Sequence, residues 1–187
     1  MGQFTVETRA LLSFWVVLTL ILGGAGCRGE PEPDLKGESE MAIQVTSSAF
    51  KEGETIPKKF TCDGENVSPA LSWTGIPQGA QSLVVIADDP DAPVGDWVHW
   101  VLIDLPPDLT GLPEGVTGMG TAGVNDFRKP GYGGPCPPKG KPHRYFFKVY
   151  ALNTTLGLKT GATKTQAEAA MKGHILAQGQ LMGRYSR

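Results

Sequence analysis

Two histidines and a run of aspartates are the side chains here best suited to chemistry near neutral pH. His99 lies in WVHW (Trp97 to Trp100), His143 lies in KPHRYFF (Lys141 to Phe147), and DDPDAP (Asp88 to Pro93) follows the apolar run Leu83 to Ala87. Imidazole titrates in the physiological range, and a carboxylate beside it can orient the ring or support its charge. Each cluster also has an ordinary structural account. DDPDAP reads as a Pro-rich turn with solvated carboxylates, His99 as a hydrogen-bonded core residue among tryptophans, and His143 as the opening of a strand on which His143, Tyr145 and Phe147 share a face. A hydrolase built on Asp89, His99 and His143 would need a nucleophile. No serine in a nucleophile elbow accompanies them, and two histidines with one aspartate make a metal site only if the geometry allows. GYGG (Gly131 to Gly134) lacks the Lys and Ser/Thr of a phosphate loop and runs into prolines rather than a helix.

The elements that must position these residues read as short strands separated by Pro- and Gly-rich turns, an all-β pattern. Strands are predicted at Ile43 to Ser47, Ala70 to Trp73, Ser82 to Ala87, Trp97 to Leu105 and Arg144 to Leu152. On the fourth, strict alternation groups Trp97, His99, Val101, Ile103 and Leu105 on one face and Val98, Trp100, Leu102 and Asp104 on the other. Both faces are largely apolar, which suits a central strand covered on both sides. One helix is predicted from a capping box at Thr165 and Glu168, with Ala167, Ala170 and Met171 as its apolar stripe and an end near Gly173. A last strand follows at Ile175 to Met182.

In this order, DPDAP, WVHW and GYGGPCPPKGKPHRY resemble the phosphatidylethanolamine-binding family, specifically its bacterial Raf kinase inhibitor-like branch. FTCDGENVSPALSW (Phe60 to Trp73) and Gly131 to Leu152 are especially similar to that branch, and the resemblance covers about Ile43 to Arg187. It implies a mainly β sandwich with a large central antiparallel sheet, one or two short helices, and a pocket at one end. Carried over by position, that pocket uses Asp89, His99, His143 and Tyr145, with Gly134, Pro135, Cys136, Pro137 and Pro138 as a wall. Two imidazoles, a phenol and loop N–H groups would converge on a small anion. Because a nearby carboxylate or anion favours the charged imidazole, such binding is expected to weaken at higher pH. The resemblance also implies a cis peptide between Ala92 and Pro93. Cys136 stands where animal members have glycine, and the chain ends in ILAQGQLMGRYSR where they carry a terminal helix.

The N-terminal region has a separate logic. Leu11 to Leu22 is an apolar run after Arg9, of about 12 residues where a spanning helix needs about 20, and it ends in Gly23, Gly24, Ala25, Gly26 and Cys27. This layout predicts a signal peptide over 1–26. Small residues before a cysteine resemble a bacterial lipobox, although Gly24 stands where that pattern prefers leucine. Cys27 is then the lipidated first residue of the mature protein; ordinary cleavage with Cys27 as a spare thiol is the alternative. Residues 27–40 are polar and rich in Pro, Gly and Glu, a composition suited to a tether, and 41–187 fits one domain. Glu7 and Arg9 cancel, so the mature chain keeps the formal charge of -2, with no basic footprint for nucleic acid. Cys62 and Cys136 are left as a possible pair in a compartment that permits disulfides; spacing alone does not decide whether they bond.

The function expected from this reading is capture, not turnover, with no cofactor. An exported, membrane-anchored protein would hold a phosphate-like or carboxylate group, such as a phospholipid headgroup. The alternative is an inhibitor or interaction protein acting on an envelope hydrolase or kinase.

Overall fold

The computed structural model describes residues 43–187; the expected signal peptide, Cys27 and the tether lie outside the described residues. Its centre is set by the apolar run Leu83 to Ala87. Strand β3 (Ser82–Asp89) is buried at every position, so it can only be an inner strand. It pairs antiparallel with β4 (Trp97–Leu105) on one side and β7 (His143–Leu152) on the other. The edges are β6 (Thr121–Ala122), beside β4, and β8 (Ile175–Tyr185), beside β7, giving a five-stranded antiparallel sheet in the order β6-β4-β3-β7-β8. A smaller sheet contains β1 (Gln44–Thr46), β2 (Leu71–Thr74) and β5 (Gly111–Leu112) in the order β1-β2-β5.

The two sheets share one core. Val45, Leu71, Trp73 and Leu112 of the small sheet pack with Leu83, Val85, Trp100, Leu102, Tyr145 and Phe147 of the large one. The opposite face of the large sheet is covered by the helix α1 (Lys164–Met171), whose Ala167 and Met171 join Val84, Ile86, Val98, Val101 and Ile103 in a second cluster. This is the expected sandwich with a large central antiparallel sheet. Among the described residues it carries one α-helix and a single 3-10 turn at Lys58–Phe60. The C-terminal segment is a strand, extending to Tyr185 rather than stopping at Met182.

Two sequence expectations are corrected. Strict alternation fails in β4, because its pairing with β3 shifts register between Leu83 and Val85 and again between Ala87 and Asp88. Each shift inserts one extra β4 residue, as a bulge does, and so reverses the face of everything beyond it. Leu105 therefore packs with Trp100 and Leu102, and Val98 with Val101 and Ile103. Asp104, beside the first shift, has φ 55. The helix is capped one turn-fraction earlier than predicted: Thr163 and Gln166 form the box, with the Gln166 N–H donating to Thr163 Oγ1 at 3.2 Å and the Thr163 N–H donating to Gln166 Oε1 at 2.9 Å. Lys164 is drawn into the first turn because its ammonium bridges Asp88 and Asp96.

Candidate functional site

Three neighbouring strands deliver the site to one end of the large sheet. Asp89 ends β3, His143 begins β7, and His99 sits at the second register shift of β4, where Asp88 pairs with Val98 and Ala87 with Trp100. The bulge is what places the His99 ring against Tyr145 of the inter-sheet core, with ring centroids 5.2 Å apart and edge-on.

Both histidines are anchored through Nδ1. His143 Nδ1 lies 2.8 Å from Asp89 Oδ2, and Asp89 Oδ1 accepts from the Asp91 N–H at 2.8 Å. His99 Nδ1 lies 2.6 Å from the Gly133 carbonyl oxygen, and the Gly133 N–H donates back to the His99 carbonyl at 2.8 Å. A carbonyl can only accept, so the His99 proton is on Nδ1 and its Nε2 holds the lone pair. Burial pushes the His99 pKa below its ordinary value, against the opposing pull of Gly133 and Asp89. Asp89 does favour the charged imidazole at His99, but desolvation outweighs it. Tyr145 remains a phenol, since burial and then Asp89 both push its ionisation far up, and its buried hydroxyl has no hydrogen-bond partner.

A pocket of about 240 Å³ opens beside these groups. Its polar wall is Asp89, His99 and His143; its aromatic wall is Trp97 and Phe127; Ala92 to Val94 and Cys136 to Pro138 close the sides. Asp89, His99, His143, Cys136 and Pro137 thus come together as expected. Tyr145 stands behind the His99 ring, and Gly134 and Pro135 hold the wall from outside. Gly134 is required by close approach: a Cβ there would lie 2.3 Å from the Phe60 carbonyl oxygen. Its N–H donates to Asn66 Oδ1 at 2.7 Å, and the Pro135 carbonyl accepts from the Cys62 N–H at 3.1 Å. Cys62 and Cys136 are disulfide-bonded with Cα atoms 5.4 Å apart, resolving the open question of their pairing.

Sequence reasoning missed Trp97 and Phe127 as lining residues. Trp97 had a usable signal, being two positions from His99 in WVHW, and its indole N–H is buried without a partner. Phe127 had none, since it reaches the site from a loop whose path depends on the fold. The Ala92–Pro93 bond is trans, correcting the expected cis peptide. Pro93 occupies the second position of a turn closed by the Gly95 N–H donating to the Ala92 carbonyl at 3.0 Å, where an ordinary trans proline already fits. Among the described residues, no group of three or more His, Cys, Asp or Glu is arranged to hold a metal ion.

The surroundings stiffen this end of the sheet. Asp91 receives Arg144 Nε at 2.9 Å and Nη2 at 2.7 Å, a bidentate pair that holds its carboxyl down at about 2. On the opposite face, Asp88 accepts from Lys148 Nζ at 2.7 Å and Lys164 Nζ at 2.6 Å. Burial works against the charge of Lys164, but Asp88 and Asp96 together raise its pKa above the ordinary lysine value.

The two-sheet core is a β-sandwich with an Asp–His pocket at one end, built from strand ends and proline-rich loops. The chain belongs to the phosphatidylethanolamine-binding protein family, whose family model matches residues 46–186. Among its relatives, the protein PH1269 (UPF0098) of Pyrococcus horikoshii is 45% identical over 181 residues, covering 92% of this chain and 87% of that protein. A UPF0098 protein of Methanothermobacter thermautotrophicus is 49% identical over 151 residues, covering 78% of this chain and 99% of its own. The crystal structure of the phosphatidylethanolamine-binding protein homologue CT736 from Chlamydia trachomatis superposes with a TM-score of 0.75 at 43% identity, over 79% of this chain and 99% of that one. That of Escherichia coli YbcL, described as a member of the mammalian family, gives 0.73 at 34% identity, over 78% and 98%.

Proposed function

We propose that this protein is an exported, lipid-anchored binding protein whose pocket holds a phosphate-like or carboxylate group, such as a phospholipid headgroup. The observation that carries the reading is the pairing of His143 with Asp89 beside a second, independently anchored histidine in a pocket of about 240 Å³. Ligand pockets for drug-sized molecules span roughly 300 to 1,000 Å³, so this one suits a headgroup-sized fragment. Asp89 does not exclude an anion, because His143 and the Asp91 N–H occupy its two oxygens. The neutral His99 Nε2 accepts a hydrogen bond, which a protonated phosphate oxygen supplies.

Calorimetric titration with methyl phosphate tests the proposal. Saturable binding is expected, and His99→Ala and His143→Ala should each weaken it by about 10- to 150-fold, the loss of a hydrogen bond to a charged group. Thermal melts run in parallel separate lost affinity from lost folding. Folded variants with wild-type affinity would sink the pocket reading.

The inhibitor alternative draws on one observation. Val94, 78% exposed, and Phe127, 36% exposed, stand at the pocket and present apolar surface to a partner. Retention of an envelope protein by the wild type and not by Val94→Asp would favour it.

A further inference from the structure

A loop, not a strand, brings Phe127 to the pocket at His99, and that loop is tied down closely. The Asp126 N–H donates to the Val98 carbonyl at 3.0 Å and Asp126 Oδ2 accepts from the Val98 N–H at 2.6 Å, fastening the loop to β4 one residue before His99. Asn125 is buried. Its carbonyl accepts from the Arg128 N–H at 2.9 Å, its Oδ1 accepts from the Lys129 N–H at 3.2 Å, and its side-chain amide donates to the Gly131 carbonyl at 3.0 Å. Arg128 closes the turn at φ 61, a left-handed conformation uncommon outside glycine.

The Phe127 ring, at the tip of this turn, is held on three sides. It meets Trp97 edge-on with centroids 5.4 Å apart and His99 edge-on at 5.5 Å, and it lies so close over Gly133 that a Cβ there would be 2.6 Å from its Cδ2. Yet Phe127 remains 36% exposed. An aromatic ring fixed in place but left partly in water at a pocket edge is a preorganised contact surface. Floor and rim of the pocket differ in exposure: Asp89 and His99 are each 3% exposed, whereas Val94 is 78% exposed and stands with Phe127 at the mouth. Pro93 and Pro138, also exposed, complete a rim on which no side chain can form a hydrogen bond. A ligand whose phosphate lies at the polar wall must pass its ester group across this rim. An apolar group buries surface there, while a hydroxylated one loses hydration and meets no side-chain partner.

We propose that Phe127 determines specificity at this pocket, favouring phosphate monoesters whose ester group is apolar or aromatic over those whose ester group is hydroxylated. The inference rests on the anion-pocket reading and adds the class of group attached to the anion.

Benzyl phosphate and glycerol phosphate share an alkyl phosphate head and differ in what it carries, and they are the probes. Each is titrated calorimetrically into the full chain in detergent, with methyl phosphate as reference. Benzyl phosphate should bind about tenfold more tightly than glycerol phosphate, or better. An aromatic contact is worth about 2- to 12-fold in affinity, so Phe127→Ala should shrink that ratio about threefold or more, while Phe127→Tyr, which keeps the ring, should preserve it. Phe127→Leu, which keeps apolar bulk without the ring, serves for the same comparison if thermal melts show the alanine variant unfolded. A purely structural role would change the affinities for all three esters in proportion and leave the ratio intact. Equal affinity of the wild type for benzyl and glycerol phosphate, or an unchanged ratio in a folded variant lacking the ring, would overturn the proposal while methyl phosphate binding keeps the pocket reading. Failure of all three esters to bind the wild type would overturn both.

Discussion

Asp88 and Asp89 are adjacent in β3 and are separated by the pleat, which turns one carboxylate to each face of the large sheet. Asp88, 1% exposed, is held by Lys148 and Lys164 on the helix side; Asp89 pairs with His143 on the pocket side. Asp88→Asn should destabilise the fold by about 3 kcal/mol, the low end for breaking a buried ion pair, because both lysines keep some contact with water; urea unfolding measures it. His99 gives a pH dependence of known sign. Its folded pKa lies below the ordinary imidazole value of about 6.5, so near pH 6.5 the unfolded chain binds a proton that the folded chain does not. The contribution is complete above that value and is lost as pH falls from it towards the folded pKa. Between pH 7.5 and 5.5, wild type should lose more stability than His99→Gln, and parallel profiles would refute the assignment. A neutral His99 also changes the reason for weaker binding at high pH, which becomes loss of the ligand's proton. Methyl phosphate, whose second ionisation lies near about 6, should weaken as pH rises past it, while methyl sulfate should stay flat. Asp89, His99 and His143 were legible in the sequence because their motifs are contiguous. Phe127 was not, because nothing local marks a loop phenylalanine as a pocket wall.

At the scale of elements, β4 shows where alternation stops being a sufficient guide. Trp97–Leu105 has the predicted bounds, but two register shifts reassign Val98 and Leu105, and the second one places His99. Bulges depend on what the partner strand requires, and WVHWVLIDL contains no glycine to announce one. The helix start was displaced for a related reason: Thr163 and Thr165 are equally good caps locally, and the Asp88–Lys164–Asp96 bridge across the fold selects the first. The pocket wall depends on a tertiary element as well. The Cys62–Cys136 disulfide closes a sequence separation of 74 and ties Cys136, at the pocket, to the segment following the 3-10 turn. Loop-closure entropy for a span of this size predicts a stabilisation of about 4 kcal/mol, with engineered cases often delivering less. The double variant Cys62→Ser/Cys136→Ser should therefore melt well below wild type. If it remains folded, methyl phosphate should bind it more weakly, because the Gly134 to Pro138 wall then keeps its hydrogen bonds to Asn66 and Cys62 but loses its covalent tie.

At the scale of the whole molecule, the sandwich was legible because its strongest signals are local: the unbroken apolar run Leu83 to Ala87 in β3, and strands bounded by Pro and Gly turns. The N-terminal region follows a different physical rule on the proposed reading, in which export and acylation machinery rather than a core would read its sequence. Comparisons separate the two parts. The Methanothermobacter relative is matched over 99% of its own length by 78% of this chain, so the domain occurs there without a comparable extension, whereas the Pyrococcus horikoshii alignment takes in 92% of this chain and must reach ahead of residue 43. The disulfide is the kind that persists in oxidising compartments, which agrees with export. On the lipobox reading, cleavage after Gly26 exposes Cys27 for acylation of its thiol and its new amino group. Each buried methylene contributes about 0.8 kcal/mol, one chain alone holds only marginally, and two membrane signals give stable attachment. Produced in a bacterium, the chain should have an acylated Cys27 as its first residue by mass spectrometry and should partition into the detergent phase of a Triton X-114 separation. Cys27→Ser should move it to the aqueous phase with its melting temperature and methyl phosphate affinity unchanged. An unmodified mature N-terminus at any other residue would refute the anchor while leaving the pocket reading intact.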